Sequence, residues 1–141
     1  MREFSIAALG NALQQHNKID FALLFGSSQD GFLIRDTADI DIAVHLSERP
    51  TPDMLAEIVG LCQGALQYDN IDIVVLNTSD PILAFEALSG RRLACRNEEA
   101  YLSFFSLTCR QYEDEMQRIE RSLSYRRAAK EQSAMQVLKD I

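Results

Sequence analysis

The pattern of apolar and polar positions predicts three strands in the first part of the chain. Residues 21–25 form a continuous apolar run that stops at Gly26, which is typical of a buried strand. Residues 39–46 and 71–76 alternate instead, with isoleucine and valine on one face and aspartates on the other. The sequence therefore predicts a small sheet, to which residues 91–95 add a short edge strand.

Helical periodicity predicts three helices before and between these strands. Residues 3–17 carry an apolar face that excludes their asparagine and glutamine residues. A second helix opens at the capping pair Thr51-Pro52 and runs to about residue 68. A third covers residues 80–90, where an Asp-Pro pair opens it and a glycine ends it.

A long C-terminal helix is predicted from Glu98 onward, where an apolar stripe recurs at spacings of three and four residues. The first half of this stripe is expected to pack against the sheet. The second half, from about Tyr112, extends beyond what a small sheet can cover, and we interpret it as a partner surface rather than a mobile, solvated tail. The stripe consists of Tyr101, Phe105, Thr108, Tyr112, Met116, Ile119 and Leu123.

These elements together predict an α/β fold: a small mixed sheet with flanking helices and a long C-terminal helix. We divide the chain into a core at residues 1–96 and a C-terminal helical extension at residues 97–141. The extension is either part of the same domain or an appendage that docks a partner. No apolar run reaches the roughly 18–20 residues of a membrane span, and residues 1–4 do not lead into the apolar segment of a signal peptide.

Charge is distributed unevenly over the 141 residues, which carry a net charge of −7. Residues 1–90 hold 4 basic and 13 acidic residues, and residues 91–141 hold 10 basic and 8 acidic residues. Because an acidic body repels phosphate backbones, we expect no direct binding of nucleic acid.

The three cysteines, Cys62, Cys95 and Cys109, are far apart in the sequence. That pattern favours free thiols in a reducing compartment over disulfides or a zinc site, so we expect a cytoplasmic protein.

Three aspartates on otherwise apolar strands are the strongest chemical signal. Asp39 and Asp41 lie two residues apart on one strand, and Asp72 lies inside the next, with no lysine or arginine on either. Because an unpaired carboxylate is costly to bury, such residues are normally paired or bound to metal. Oxygen ligands suit Mg²⁺ or Mn²⁺ better than zinc. We therefore predict a site for one or two divalent ions held by these three residues.

A phosphate-binding turn is predicted at Gly26-Ser27-Ser28, directly after the first buried strand. Gly26 allows a sharp turn and close approach of the backbone to a ligand. The serine hydroxyl and the N–H groups at a helix start can hold phosphate oxygens. Either motif alone is weak evidence, since tight turns and Asp-x-Asp triplets are common, but their combination favours a functional site.

This combination of motifs, Phe25-Gly26-Ser27 followed by Asp39-Ile40-Asp41, resembles the signature of the DNA polymerase beta nucleotidyltransferase superfamily. The small size is similar to its minimal nucleotidyltransferase (MNT) branch, antitoxins partnered with HEPN-domain ribonuclease toxins. The resemblance implies that Asp39 and Asp41 bind metal, and that Asp72 binds metal and helps activate the acceptor. It also implies that Gly26 and Ser27 hold a nucleoside triphosphate.

The resemblance implies a reaction as well as a site. Some members transfer AMP from ATP to a tyrosine of the HEPN toxin and so neutralise it. Two departures leave the details of phosphate binding open. The spacer from Ser28 to Ala38 has eleven residues where ten is usual, so that either Ser27 or Ser28 could fill the serine role. Gln29 and Ser28 also stand where many members carry an arginine after the serine.

Two other functions compete with the enzymatic antitoxin. One is a non-catalytic antitoxin that blocks its toxin by binding, although such a protein would not need three aspartates. The other is a small-molecule nucleotidyltransferase of the antibiotic-modifying kind, which is less expected because the chain looks short for a separate acceptor domain. Of the two histidines, His16 is expected to be exposed at a helix end. His45 is expected at the rim of the sheet rather than as a metal ligand.

Overall fold

The computed structural model describes residues 2–140 and shows the predicted α/β architecture. The strands are β1 (Arg2–Glu3), β2 (Ile19–Phe25), β3 (Phe32–Leu33), β4 (Ile40–Leu46), β5 (Ile71–Val75) and β6 (Arg91–Cys95). The helices are α1 (Ile6–Gln14), α2 (Pro52–Leu66), α3 (Pro81–Leu88) and α4 (Glu98–Lys139), with single 3₁₀ turns at Gly26–Ser28 and Leu76–Thr78.

The main sheet has four strands in the order β5-β4-β2-β6. β4 and β5 are parallel, and the other neighbours are antiparallel, so the sheet is mixed as predicted. The predicted edge strand at residues 91–95 is confirmed as β6. The two-residue strands β1 and β3 form a separate small sheet, which the sequence analysis did not predict.

Side-chain capping explains where the helices begin. The side chains of Thr51 and Asp80 accept hydrogen bonds from backbone N–H groups three residues on, as the sequence predicted. Asn97 caps α4 in the same way. The first helix begins later than the predicted span 3–17. The side chain of Ser5 caps the helix by accepting the backbone N–H of Ala8, and Arg2–Glu3 pair with β3 instead.

Alternation along β4 and β5 divides the core into two layers. The isoleucines and valines on one face pack with α1 and α2, and the opposite face packs with α3 and α4. On that second face, Phe21 contacts both Tyr101 and Phe104 of α4 at ring-centroid distances of 5.1 and 5.9 Å. The aspartates of β4 and β5 lie on this second face, at the end nearest α3.

α4 packs on the core with its first half only. Thr108 is 1% exposed, and Tyr112 stacks on Phe85 of α3 with ring centroids 4.0 Å apart. Tyr112 is therefore half-buried against α3, and the exposed part of the helix starts later than the sequence pattern predicted. From Gln117 to Asp140 every residue is exposed.

The expectation that His16 is exposed is wrong, whereas His45 lies away from the aspartates as expected. His16 is 7% exposed and not solvated, because its ring accepts the backbone N–H of Lys18 and lies against α2 beside Glu57. His45 is hydrogen-bonded to Asp20 at 2.9 Å and stacks on Phe21 with ring centroids 5.0 Å apart, at the far end of β4 from the aspartates.

Cys62, Cys95 and Cys109 are free thiols. Over the described residues, none of the helices has an apolar stretch sufficient to traverse a bilayer.

Candidate active site

Parallel pairing of β4 with β5 brings two of the predicted aspartates side by side. Asp41 and Asp72 are direct register partners, and Asp39 lies two residues before Asp41 on the same face. Neighbouring strands lie about 4.8 Å apart, so carboxylates at paired positions emerge next to each other. Burial of Ile40 and Ile42 on the opposite face fixes this orientation, because a one-residue slip would exchange the two faces.

Negative charge accumulates around Asp41. Burial raises the pKa of the Asp41 carboxyl, and the charges of Asp72, Asp39 and Glu86 raise it further. Within residues 2–140, none of the three aspartates forms an ion pair with a basic side chain. A cation bound here would relieve both the repulsion and the desolvation of these groups.

The carboxylate oxygens of the three aspartates are the kind of ligand that a hard divalent cation such as Mg²⁺ prefers, but these side chains do not converge on one point. Among the described side chains, no three His, Cys, Asp or Glu residues are grouped closely enough to hold an ion. Ionised carboxylates repel one another, so carboxylates at adjacent strand positions are expected to close around a cation only when it is present. The assignment of Asp39, Asp41 and Asp72 as ligands stays a prediction.

The turn after β2 lies directly against Asp41. Phe25, the last residue of β2, is the register partner of Asp41, and Gly26 follows with a φ of +78°. A Cβ atom at Gly26 would collide with the carboxylate of Asp41. Glycine is therefore required at this position both for the backbone conformation and for the close approach of the turn to β4.

The two serines of the turn face in different directions. Ser28 is completely buried, and its hydroxyl donates to the backbone carbonyl of Asp39 at 3.3 Å. Ser27 is exposed and lines a cavity of about 580 Å³ together with Gly26. Of the three predicted nucleotide-binding residues, the structure thus brings Gly26 and Ser27 into the cavity and places Ser28 behind it, tethering the aspartate strand to the turn.

The opposite wall of the cavity comes from helices, and sequence reasoning missed it. One face of α3 and the residue that caps its C-terminal end line this wall at spacings of three, one and three residues. These residues are Ile82, Phe85, Glu86 and Ser89. Tyr112 of α4 completes this wall by its stack on Phe85. The spacing along α3 was a readable signal, but only the tertiary fold shows that this face looks toward Ser27. The cavity therefore combines a polar turn with an apolar and aromatic wall.

A sequence model of the family described as polymerase beta, nucleotidyltransferase matches residues 8–99, which include the turn and all three aspartates. No curated protein sequence matches the chain.

Several solved structures share the fold. A toxin–antitoxin structure with AMP-PNP is 23% identical, with a TM-score of 0.65, and the match covers 85% of this chain and 98% of that one. A complex of tri-AMPylated HEPN toxin with MNT antitoxin from Shewanella oneidensis is 21% identical (TM-score 0.60; 85% and 99% covered). A mutant of the toxin–antitoxin pair MntA-HpeT is 25% identical (TM-score 0.61; 81% and 93% covered).

Proposed function

The chain belongs to the polymerase beta nucleotidyltransferase family, and on this premise we propose that it is an antitoxin acting as a Mg²⁺-dependent protein adenylyltransferase. It transfers AMP from ATP to a tyrosine hydroxyl of a HEPN ribonuclease toxin and so neutralises the toxin. The observation that carries the proposal is the Gly26-Ser27 turn, which lines the cavity on one side and lies directly against Asp41 on the other. Asp41 in turn pairs in register with Asp72 of the neighbouring strand. We place this activity in the cytoplasm, where ATP is available and where the free thiols remain reduced.

Related structures support the identity of the donor and the acceptor. One structure of the same fold holds AMP-PNP, an ATP analogue, and another holds a HEPN toxin that carries AMP groups. Both are toxin–antitoxin complexes. The donor for this chain is accordingly ATP, and the acceptor is the toxin protein with which it pairs.

Each residue of the site has a role in this reaction. The tyrosine oxygen attacks the α-phosphorus of ATP, the bond between that phosphorus and the pyrophosphate oxygen breaks, and pyrophosphate leaves. Ser27 and the backbone N–H groups of the turn hold the triphosphate. Asp39, Asp41 and Asp72 would hold two Mg²⁺ ions, or Mn²⁺, and Asp72 would also help to activate the acceptor hydroxyl. When bound, the ions supply positive charge for the triphosphate and lower the pKa of the acceptor hydroxyl.

A second candidate is supported by the exposed half of α4. A helix without tertiary contacts from Gln117 to Asp140 could block a toxin by binding alone, without group transfer. The two candidates differ in what happens to the toxin. Transfer leaves a covalent mark that survives separation of the proteins, whereas blocking ends when they part.

The test is the mass and the activity of the toxin after incubation with this protein, ATP and Mg²⁺, followed by separation. Transfer predicts a mass increase by whole AMP units and lasting inactivation. Asp39→Asn combined with Asp41→Asn should reduce the rate by about 100-fold or more, since even outer-shell changes at metal sites cost about 10- to 100-fold. Asp114→Asn, an exposed carboxylate on α4, is the matched control and should act like wild type. An unmodified toxin that regains activity after separation would establish the blocking mechanism instead.

A further inference from the structure

The part of α4 that projects beyond the core, which we call the distal segment (residues 117–140), has no packing partner within the described chain. All of its residues are exposed, and at 1.5 Å per residue it is about 35 Å long. The helix is continuous through this region and gains local support from the pairing of Arg118 with Glu115. Because most of the stability of helices in proteins comes from tertiary packing of an apolar face, the distal segment would be stabilised by packing on another surface.

An apolar seam runs along one side of the distal segment. Ile119 and Leu123 are 37% and 51% exposed, and they continue the stripe whose first half packs in the core. Val137 and Leu138 extend the seam toward the end of the helix and are 61% and 71% exposed. Ile119 and Leu123 are four residues apart, and Val137 and Leu138 return to the same side of the helix fourteen and fifteen residues after Leu123. Apolar side chains on one side of an exposed helix are the pattern by which one helix packs against another.

A basic block interrupts the seam at its centre. Arg126, Arg127 and Lys130 follow Leu123 by three, four and seven residues, so they lie on the same side of the helix. With Leu123 they line a shallow cavity of about 480 Å³. Cationic residues at seam positions reduce stability but select the register and the partner, because the facing positions must be acidic. Over the distal segment, six basic residues stand against three acidic residues, the reverse of the acidic body of the chain.

Two other occupants fit this surface less well. A second copy of the chain packed in parallel would set Arg126, Arg127 and Lys130 against the same residues of its partner. A nucleic acid could bind the cations, but it would leave Ile119 and Leu123 uncovered, and the acidic body would repel its phosphates. An amphipathic helix of another protein satisfies both the apolar seam and the basic block.

The same helix connects the seam to the active site. Tyr112 lines the cavity that contains Ser27, and Ile119 and Leu123 lie about 10 to 17 Å further along the helix axis. A protein docked on the seam would therefore hold its neighbouring tyrosines at the mouth of the cavity. We infer that the distal segment is the surface that recognises the acceptor protein, and that the acceptor presents an amphipathic helix with acidic residues facing the basic block. This inference rests on the proposed function and specifies how the acceptor is selected.

The test compares full-length variants in binding to the toxin, measured by calorimetry, and in binding to ATP. One variant, Ile119→Asp with Leu123→Asp, disrupts the seam, and a second, Arg126→Glu with Arg127→Glu, reverses the basic block. Each should weaken toxin binding by about tenfold or more, the loss expected for interface anchors. Both should keep the ATP affinity and melting temperature of wild type. Labelling should fall at low toxin concentration and recover at saturation.

Matched controls lie on the opposite side of the same helix. Tyr125→Asp and Arg121→Glu change one exposed apolar and one exposed basic residue and should leave toxin binding unchanged. Three results would overturn the inference: seam variants that bind the toxin like wild type, seam variants that also lose ATP binding, or a wild-type chain that self-associates only through this seam. If the toxin binds but is never labelled, the proposed chemistry fails while the docking surface stands.

Discussion

At the scale of single residues, the two adjacent serines of the turn separate a structural role from a functional one. Ser28→Ala should lower the free energy of unfolding by about 1 kcal/mol, because the backbone carbonyl of Asp39 loses its side-chain donor. Ser27→Ala should leave stability unchanged, since the side chain is exposed, and should raise the KM for ATP. Urea denaturation and steady-state kinetics measure the two effects. Loss of nucleotide use in Ser28→Ala at unchanged stability would assign the phosphate role to Ser28 instead.

The raised pKa of Asp41 makes a second residue-scale prediction. Because burial and the neighbouring carboxylates raise the folded-state pKa above the ordinary value of 3.8, ionisation of Asp41 destabilises the fold. The protonated group favours the fold at low pH, and this contribution is lost as the pH rises through the folded pKa. Asp41→Asn should therefore stabilise the metal-free protein at neutral pH, by less than about 1 kcal/mol because solvent screens a half-exposed carboxyl.

The pH dependence of this effect provides its control. The stability difference between Asp41→Asn and wild type should shrink as the pH falls toward the ordinary carboxyl pKa, where both side chains are neutral. Adding Mg²⁺ should raise the melting temperature of wild type and not that of the variant, because the ion binds the native carboxylates. Equal stabilisation of both proteins by Mg²⁺ would contradict the assignment of Asp41 as a ligand.

At the scale of elements, the turn after β2 depends on glycine. Gly26→Ala places a side chain at a φ of +78° and against Asp41, and should destabilise the protein by at least about 1–2 kcal/mol. Gly60→Ala is the matched control, since Gly60 lies within α2 with open space around its Cα. Removing a glycine from a helix should raise stability by about 0.5–1 kcal/mol. Chemical denaturation of both variants measures the contrast, and similar effects of the two substitutions would show that the turn tolerates a side chain.

The strands and caps that position the aspartates could be predicted from the sequence because their signals are local. Alternation fixed the faces of β4 and β5, and it correctly set Asp41 and Asp72 on the same side. The family resemblance drawn from the Gly-Ser turn and the Asp-x-Asp pair is confirmed for residues 8–99. The start of α1 was predicted at residue 3 instead of Ile6. Residues 2–3 pair with β3, about thirty positions later in the chain, and a local pattern does not show such a pairing.

The helical wall of the cavity could not be predicted, because it depends on how α3 and α4 cross the sheet. The apolar stripe of α4 singled out Phe105, yet Phe104 is the residue that contacts Phe21 and His45. The buried face of a helix on a sheet is wider than a single stripe, and its centre depends on the crossing angle. For the same reason the sequence places Glu86 on one face of α3 but does not show that its charge lies near Asp41.

At the scale of the whole molecule, opposite charges occupy opposite ends. The acidic body contains the cavity lined by Ser27 and Tyr112, and the basic distal segment extends from it on a continuous helix. Recognition of the acceptor and chemistry on the nucleotide are thereby assigned to different parts of one chain.

The measurement that tests the central claim most directly follows the phosphorus atoms of ATP. Wild-type protein is incubated with the toxin, Mg²⁺ and ATP radiolabelled at either the α- or the γ-phosphate, and the toxin is then isolated. Adenylyl transfer breaks the bond between the α- and β-phosphates. The account therefore predicts that the α-label appears on a tyrosine of the toxin, that the γ-label leaves with pyrophosphate, and that Asp39→Asn with Asp41→Asn abolishes the signal. Transfer of the γ-label, or no transfer while the toxin is still inhibited, would contradict it.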